Sequence, residues 1–424
     1  MKLKKNLKVV HRWAGLATGA LVFITSITGA IFVFEREIFG MLHRDLLQVE
    51  PTALPMKSAS ELLAIGSGAL GSDLDPSWIE GFGPDRTVEV HAYHWNDSAQ
   101  GLWYWDALRD WKVAYLNPYT GEVLGTLDHR FAFFTVVRQL HQNLLLRYEI
   151  GHLIVGVAVL LFLGMLMTGL ALWWPRHRAA LKQRLQVAWK SGRRRLQFDI
   201  HAVLGIYALP LALIIVATGL VWSFGWWGAG LNFLISGKTG DPWAEDPVVL
   251  SSPPSAEAIR LERIAARQGP IPLDLAFSEV MRRSRLGGNY WVSFPEDSTG
   301  VLQAAYQEPV KSGWVTWSGL KFDAYNGKLL HADLFADKDV RKKFRNSLYD
   351  IHVGKIYGWP TQILALLASL LCASLPVTGF LMWRGGKPRP SARDRRFRPA
   401  AHQPSADTVA SVTAFATPVP SERP

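Results

Sequence analysis

The stretch "AGLATGALVFITSITGAIFVF" (14–34) decides the fold class, because it contains no charged side chain. Three further stretches are similarly apolar: Ile150 to Trp174, Val203 to Trp227, and Trp359 to Trp383. A helix needs about 20 mainly apolar residues to cross the ~30 Å hydrocarbon core of a bilayer. The sequence therefore predicts a membrane protein with four transmembrane α-helices, embedded in a lipid bilayer.

The basic residues indicate how these helices are oriented. The chain carries 46 Lys and Arg against 35 Asp and Glu, a formal charge of +11. The short segments 1–12, 175–197 and 384–424 together hold 21 of the basic residues but only three of the acids. Because Lys and Arg concentrate in cytoplasmic loops, both termini and the middle loop are predicted to be cytoplasmic. The excess charge is thus a topology signal, and no nucleic-acid partner is expected.

The helices divide the chain into segments that alternate between the membrane and its two sides. We expect a cytoplasmic N-terminus with the first helix (1–40), a first periplasmic domain (41–140), the second helix (141–174), a cytoplasmic loop (175–197), the third helix (198–227), a second periplasmic domain (228–350), the fourth helix (351–384) and a disordered cytoplasmic tail (385–424).

The two outer segments are predicted to be small α+β domains. In the first, a helix at Ser60 to Ile65 precedes the aromatic-rich strands "VEVHAYHW" (88–95), "GLWYWDAL" (101–108) and "WKVAYLNPYTGEVLG" (111–125). The second has helices near Ser255 to Arg267 and Leu273 to Arg285, followed by the strands "YWVSFPE" (290–296), "VLQAAYQ" (301–307) and "GWVTWSGLKFDAYNGKLL" (313–330). Short β-rich runs bounded by turn residues are typical of hairpins.

An internal repeat relates the two halves of the chain. His11 precedes Thr28-Gly29 by 17 residues, and His201 precedes Thr218-Gly219 by the same number. His141 precedes Thr168-Gly169 by 27 residues, and His352 precedes Thr378-Gly379 by 26. The sequence therefore predicts a tandem duplication of the unit helix, outer domain, helix. The small Thr-Gly pairs are interpreted as close helix-packing positions.

The repeat places four histidines in two matched pairs. His11 and His201 open their helices at the cytoplasmic edge, whereas His141 and His352 lead into the other two helices from outside. Two facing imidazoles in a four-helix bundle can hold haem iron from both sides, although a histidine at a helix edge is often only an interfacial residue. A single cysteine, Cys372, excludes covalent haem attachment through a C-x-x-C-H motif.

The depth of the second-helix ligand is an open question in the sequence. His141 lies nine residues before its apolar run, which on a straight helix places it about 13 Å outside the hydrocarbon. A bend at "RYEIG" (147–151), matched by one at "GKIYGWP" (354–360), would bring it back. Without a bend, His152 is the competing ligand, ranked second because the fourth helix has no counterpart.

These motifs resemble the PepSY-associated transmembrane family, which includes iron-regulated inner-membrane proteins and ferric-siderophore reductases of bacteria. The resemblance is carried by "HRWAGLATGALVFITSITG" (11–29), "LHQNLLLRYEIGHLIVG" (140–156), "FDIHAVLGIYALPLALIIVATG" (198–219), "IHVGKIYG" (351–358) and "TGFLMWR" (378–384). It implies two outer PepSY-like domains and location in the bacterial inner membrane.

The resemblance also implies a function. Two noncovalent b-type haems, with axial ligands His11, His141, His201 and His352, would pass electrons from a quinol or a separate cytoplasmic reductase to a periplasmic ferric siderophore. The enzyme would thus be a ferric-chelate oxidoreductase that releases Fe(II). Two alternatives remain open: a non-redox PepSY module that binds or regulates a partner, and a siderophore permease. The chain has only four predicted membrane spans and no acidic residues within them, which is evidence against the permease.

Overall fold

The computed structural model describes residues 2–240, 246–252, 271–284, 288–295, 297–308 and 314–385. The helix expected near Ser255 to Arg267 lies outside these residues, as does the expected tail beyond Gly385. The helices are α1 (Lys2–Phe32), α2 (Glu35–Leu42), α3 (Arg44–Leu47), α4 (Ala59–Leu70), α5 (Tyr104–Ala107), α6 (Phe133–Asn143), α7 (Tyr148–Trp173), α8 (Leu181–Arg184), α9 (Arg193–Ser223), α10 (Gly225–Ser236), α11 (Pro272–Arg283), α12 (Val340–His352) and α13 (Trp359–Gly385).

The strands are β1 (Trp78–Gly81), β2 (Val88–Trp95), β3 (Leu108–Leu116), β4 (Val123–Asp128), β5 (Tyr290–Ser293), β6 (Val301–Gln307), β7 (Trp317–Asp323) and β8 (Leu329–Asp333). Most follow the predicted pattern, but "GLWYWDAL" (101–108) does not form the expected strand. Its residues Tyr104–Ala107 form the helical turn α5, capped where the Asp106 carboxylate accepts a hydrogen bond from the Trp103 amide at 2.9 Å. A carboxylate three residues beyond the cap stabilises such a turn.

Four of the described helices are long and apolar enough to cross a membrane: α1, α7, α9 and α13. This confirms that the chain is a multi-pass membrane protein. The core of the bundle is formed by buried apolar side chains on facing helices, among them Val22, Phe162, Ala212 and Cys372. At one end the buried Gln362 amide of α13 donates to the Val33 carbonyl at 3.2 Å, so it joins the fourth long helix to the end of the first.

The strands of the two segments that were predicted to be α+β domains join in one continuous sheet. The strand order is β4-β3-β2-β1-β5-β6-β7-β8, with all neighbours antiparallel. The junction pairs Ile79 with Val292, and both side chains are fully buried. Each half is a four-stranded meander, and the two meanders join through their first strands.

The two meanders also match in detail. A β-bulge shifts the register between Tyr115 and Leu116 in the first half and between Lys321 and Phe322 in the second. The hairpin that follows is closed in both halves by a side-chain oxygen: Asn117 Oδ1 accepts from the Tyr119 amide at 2.9 Å, and Asp323 Oδ1 from the Tyr325 amide at 2.8 Å. These matches are the arrangement expected of a duplicated unit.

The sheet has two different faces, because strand residues alternate in direction. One face packs against α4 and α11 through a core that includes Leu62, Val90, Phe277 and Val292. The two helices are joined where the Asp274 carboxylate accepts hydrogen bonds from Ser60, at 2.7 and 2.8 Å. The other face is directed at the helix bundle, and a cavity lies between them.

His141 and His352 each lie on a short helix that is separated by a turn from the long helix that follows. Helix α6 ends at Asn143, and Leu144 and Leu145 both have positive φ, 58° and 64°, before α7 begins at Tyr148. The expected bend therefore exists, but it lies three residues before "RYEIG". In the second half, α12 ends at His352 and the turn uses Gly354 and Gly358, both with positive φ, as predicted.

Positive φ is uncommon for residues other than glycine, so the leucine bend must be held by its surroundings. The Leu145 carbonyl accepts a hydrogen bond from the Tyr104 amide at 2.9 Å, and the Arg147 amide donates to the Leu102 carbonyl at 2.8 Å. The segment around α5 thus fixes the turn from outside. This long-range support leaves no local sequence signal, which is why the position of the bend was missed.

Candidate functional site

The four candidate histidines meet in two pairs at opposite ends of the bundle. The rings of His11 and His201 have centroids 6.3 Å apart, and so do the rings of His141 and His352. His11 contacts the end where α7 finishes, which we call the terminal side, whereas His141 contacts the end near the sheet, the sheet side. The 17 residues from His11 to Thr28, whose hydroxyl contacts His141, separate the pairs by about 25 Å.

Each histidine is held by a threonine of a Thr-Gly pair. The Nδ1 to Oγ1 distances are 3.0 Å for His11 and Thr168, 3.2 Å for His141 and Thr28, 2.8 Å for His201 and Thr378, and 2.9 Å for His352 and Thr218. Each contact joins two helices of the same half. In the first half, His11 on α1 meets Thr168 on α7, and His141 on α6 meets Thr28 on α1. Sequence reasoning assigned these threonines to helix packing and missed this role; their matched spacing from the histidines was the signal.

The hydrogen bonds of the threonines fix which ring nitrogen carries the proton. Each hydroxyl donates to a backbone carbonyl of its own helix; Thr218, for example, donates to Ile214 at 2.8 Å. The same bond is 2.7 Å for Thr28, 2.9 Å for Thr168 and 2.9 Å for Thr378. Because the hydroxyl hydrogen is already used in this bond, the threonine oxygen can only accept a hydrogen bond from the imidazole. Nδ1 is therefore the donor. His141 Nδ1 also lies 2.8 Å from the Thr25 carbonyl, which can only accept.

This arrangement leaves Nε2 of every histidine unprotonated and available as a ligand. Metal-bound imidazoles commonly donate their other ring N–H to a neighbouring acceptor, which fixes the ring and the tautomer. A metal–imidazole bond of about 2.0–2.1 Å puts two rings on opposite sides of one ion with centroids roughly 6–6.5 Å apart. The observed 6.3 Å agrees with this spacing, so the residues present fit a bis-imidazole haem site at each end.

The glycine of each Thr-Gly pair gives the ring its space. A Cβ atom built on Gly29 would lie 3.0 Å from Cε1 of His141, and one on Gly219 would lie 3.1 Å from Cε1 of His352. On the terminal side the distances are 3.3 Å from Gly169 to His11 and 3.6 Å from Gly379 to His201. The Thr-Gly pair is therefore a unit: the threonine orients the imidazole and the glycine admits it.

A cavity of about 1600 Å³ connects the sheet-side pair with the sheet. His141 and His352 lie in its wall, and the indole of Trp222 meets His352 edge-on with centroids 5.2 Å apart. Aromatic side chains of the sheet line the opposite wall: Trp78, Trp111, Trp291 and Trp317. A concave wall of aromatic side chains is typical of a site that binds a flat apolar ring or another ligand.

Charged groups line the same cavity. Arg138 lies one helical turn before His141 and its guanidinium sits 4.9 Å over the ring of Trp111. Burial lowers the pKa of Arg138, and burial also raises the pKa of the Glu35 carboxyl, which faces Arg36 and Arg138. The Arg138 guanidinium is therefore a candidate partner for a carboxylate or another anion near His141.

His152 is placed differently from the four paired histidines. Its Nδ1 hydrogen-bonds the Tyr148 carbonyl of its own helix, and its ring stacks on Tyr148 with centroids 4.4 Å apart. It lines the cavity, but the bend before α7 has already brought His141 to the bundle. The geometry therefore favours His141 over His152 as the partner of His352.

Comparison with known protein families gives a match over most of the chain. The family model described as the PepSY-associated TM region matches residues 9–385. That range contains α7, α9 and α13, helix α1 from residue 9 onward, the eight described strands and both histidine pairs. No curated protein matches the chain.

Proposed function

The chain belongs to the family of the PepSY-associated TM region, and from this membership and its two histidine pairs we propose that it is a di-haem reductase of ferric siderophores. Electrons would enter on the terminal side from a quinol or a separate cytoplasmic reductase. They would leave on the sheet side, in the periplasm, where a ferric chelate is reduced and Fe(II) is released. The protein would lie in the bacterial inner membrane.

The observation that carries the proposal is the fourfold recurrence of one arrangement. Every paired histidine donates from Nδ1 to a threonine, which leaves Nε2 for a ligand, and its ring lies beside one partner imidazole with centroids 6.3 Å apart. An interfacial histidine needs no fixed tautomer, no facing imidazole and no glycine beneath its ring. Bound between such pairs, haem b would supply one-electron redox chemistry, with a potential tuned by the hydrogen bonds and burial of its ligands.

The remaining residues of the site bind, orient and exclude water. The bundle core around Val22, Phe162 and Cys372 separates the two pairs with apolar side chains. On the sheet side, Arg138 supports the proposal as a partner for anionic groups near His141. Reduction weakens the hold of a hard-oxygen chelator, because such ligands suit the smaller and more highly charged Fe(III).

The absorbance spectrum of the protein purified in detergent tests the proposal. We expect a reducible b-type spectrum with about two haems per chain, one for each histidine pair. Protein that folds and remains free of haem when haem is supplied during expression would exclude the reductase. The non-redox binding module would then be the surviving function.

Single substitutions test the assignment of ligands. His201→Ala should remove one haem and His352→Ala the other, because the two rings belong to different pairs. His152→Ala is the matched control and should keep both haems. Loss of the same haem in His201→Ala and His352→Ala would show that the pairs are wrongly assigned.

A further inference from the structure

The matched halves of the sheet allow one half to serve as a reference for the other. Leu116 and Phe322 occupy the same bulge position, and their partners on the next strand are Val88 and Leu302. Following the register from these residues, Glu89 corresponds to Gln303 and His91 to Ala305. The next ladder then matches the pair Glu80 and Glu89 with the pair Ser293 and Gln303.

The cavity-facing residues of the two halves are alike in their tryptophans and differ in their titratable groups. Trp78 corresponds to Trp291 and Trp111 to Trp317, and all four line the cavity. Glu80, Glu89 and His91, by contrast, are replaced by Ser293, Gln303 and Ala305. Since the second half builds the same meander without them, these three side chains are not required by the fold.

The three groups form a buried cluster, which we call the acid cluster. Glu80 and Glu89 are directly opposite on β1 and β2, a position where like charges destabilise a sheet. His91 Nε2 lies 3.2 Å from Glu89 Oε2 and 3.9 Å from Glu80 Oε2. The His91 ring stacks on Trp78 with centroids 4.3 Å apart.

The polar atoms of this cluster are incompletely satisfied. His91 is only 6% exposed; among the described residues its Nδ1 has no hydrogen-bond partner, and its Nε2 has only the ion-pair contacts with Glu89 and Glu80. A buried polar group without a partner costs free energy, so the cluster is arranged for something besides stability. The Glu80 and Glu89 side chains line the cavity, and Glu80 keeps 21% of its surface exposed.

Glu80 holds a proton near neutral pH. Burial, followed by the neighbouring Glu89, raises the pKa of Glu80 to about 7. His91, the Trp78 side chain and Arg36 of α2 act in the opposite direction. On the β5 side its ladder partner is Trp291, which does not titrate.

We propose that Glu80, with Glu89 and His91, is the acid that protonates an oxygen donor of the ferric chelate in this cavity. The inference rests on the proposed function. One electron from the quinol or reductase converts Fe(III) to Fe(II), an iron–oxygen bond breaks, and the freed oxygen takes the proton of Glu80. Glu80 is left as a carboxylate and regains its proton from water. Without this proton the freed oxygen would bind iron again.

The protonation of Glu80 can be measured without haem, by infrared spectroscopy of the full-length protein. The carbonyl stretch of a protonated carboxyl group should titrate with a midpoint near pH 7 and be absent from Glu80→Ser. Glu89→Gln should move the midpoint to lower pH, because a like charge is removed, and His91→Ala should move it to higher pH. The serine and glutamine are the residues of the second half, so both variants should fold. A wild-type spectrum in Glu80→Ser overturns the proposal.

The role of this proton in the reaction is tested by oxidising the pre-reduced holoprotein with a ferric trihydroxamate chelate. The wild-type rate should fall as the pH rises through 7, because Glu80 loses its proton. Glu80→Ser should flatten this profile and slow the rate about 10²-fold at low pH, as for loss of a general acid. Ser293→Ala is the control and should behave as wild type.

The outcomes separate the two proposals. A wild-type pH profile in Glu80→Ser removes the acid and leaves the reductase intact. If the wild-type protein binds haem but is not oxidised by the chelate, the reductase fails, and the acid has no reaction to serve and falls with it.

Discussion

At each of the four paired histidines, one ring nitrogen is used in a hydrogen bond and the other is left for a ligand. The selection is made by a threonine hydroxyl whose own proton is engaged by its helix, as with Thr218 and the Ile214 carbonyl. A single hydrogen bond thus determines the tautomer of His352. The threonines therefore matter for ligand binding even though they would touch no iron.

We expect Thr218→Val to weaken haem binding at the sheet-side pair about 10- to 100-fold, the usual effect of removing a group that orients a metal ligand. The valine cannot accept from His352 Nδ1, so the ring loses its preferred tautomer and orientation. Haem titration of the apoprotein measures the affinity. Thr218→Ser should restore it, because the hydroxyl is kept.

Thr18→Val is the matched control for this substitution. Thr18 is also buried in a long helix, and its hydroxyl donates to the Ala14 carbonyl at 2.9 Å. It lies on the same helix as His11, but among the described residues its hydroxyl has no hydrogen bond to a histidine. Equal haem affinity in Thr18→Val and Thr218→Val would contradict the orienting role.

Among the elements, the breaks before α7 and α13 decide where the sheet-side histidines lie. Helix α6 must reverse at Leu144 and Leu145 so that His141 reaches Thr28 of α1. Asn143, which ends α6, is 2% exposed and packs directly against Gly151 of α7. The bend is therefore a close contact between two helices and not a flexible linker.

Gly151→Ala should open this bend. A Cβ atom at Gly151 would lie 2.0 Å from the Asn143 carbonyl oxygen, and a backbone atom cannot move aside as a side chain can. We expect destabilisation of about 1–3 kcal/mol, as for overpacking elsewhere, with loss of the sheet-side haem before the other. Thermal unfolding in detergent and haem content provide the two measurements.

Gly164→Ala, on the same helix, separates this effect from a general cost of substitution. Outside its own helix backbone, no heavy atom of the described residues lies within 4 Å of the corresponding Cβ position. The alanine should be tolerated, and both haems should remain. Similar haem loss in the two variants would refute the contact between Asn143 and Gly151 as the cause.

At the scale of the whole molecule, the continuous sheet fixes the two halves to each other. Each half supplies one histidine to each pair, so the pairs form only if the halves keep their relative position. The β1–β5 ladder provides this, with Gly81 opposite Tyr290 and Ile79 opposite Val292. A small change at this junction should therefore affect both ends of the bundle.

Gly81→Ala tests the junction. Its Cβ atom would lie 2.5 Å from the ring of Tyr290, which is 1% exposed and has no room to move. We expect a loss of about 1–3 kcal/mol in unfolding free energy, measured by denaturant or thermal unfolding of the detergent-solubilised protein. Gly319→Ala on β7, where no neighbouring atom in the described part of the chain lies within 4 Å of the added Cβ, should leave the stability close to wild type.

The four membrane helices, the two β-rich segments between them and the choice of four histidines could be predicted from the sequence alone. Apolar runs and repeat spacing are local or periodic properties, which a one-dimensional pattern carries completely. The predicted pairing of His11 with His201 and His141 with His352 followed from that repeat, and the structure brings the same rings together. Their role as haem ligands stays a proposal.

The way in which the two halves join, and the contact of the Thr-Gly pairs with the histidine rings, are visible only in the three-dimensional structure. The ladder between β1 and β5 links residues more than two hundred positions apart, and the leucine bend is held by contacts with α5. The hydrogen bond between His352 and Thr218 likewise forms only because two helices lie side by side. Such contacts depend on distances in space between segments distant in sequence, and the repeat spacing alone does not say which histidine meets which threonine.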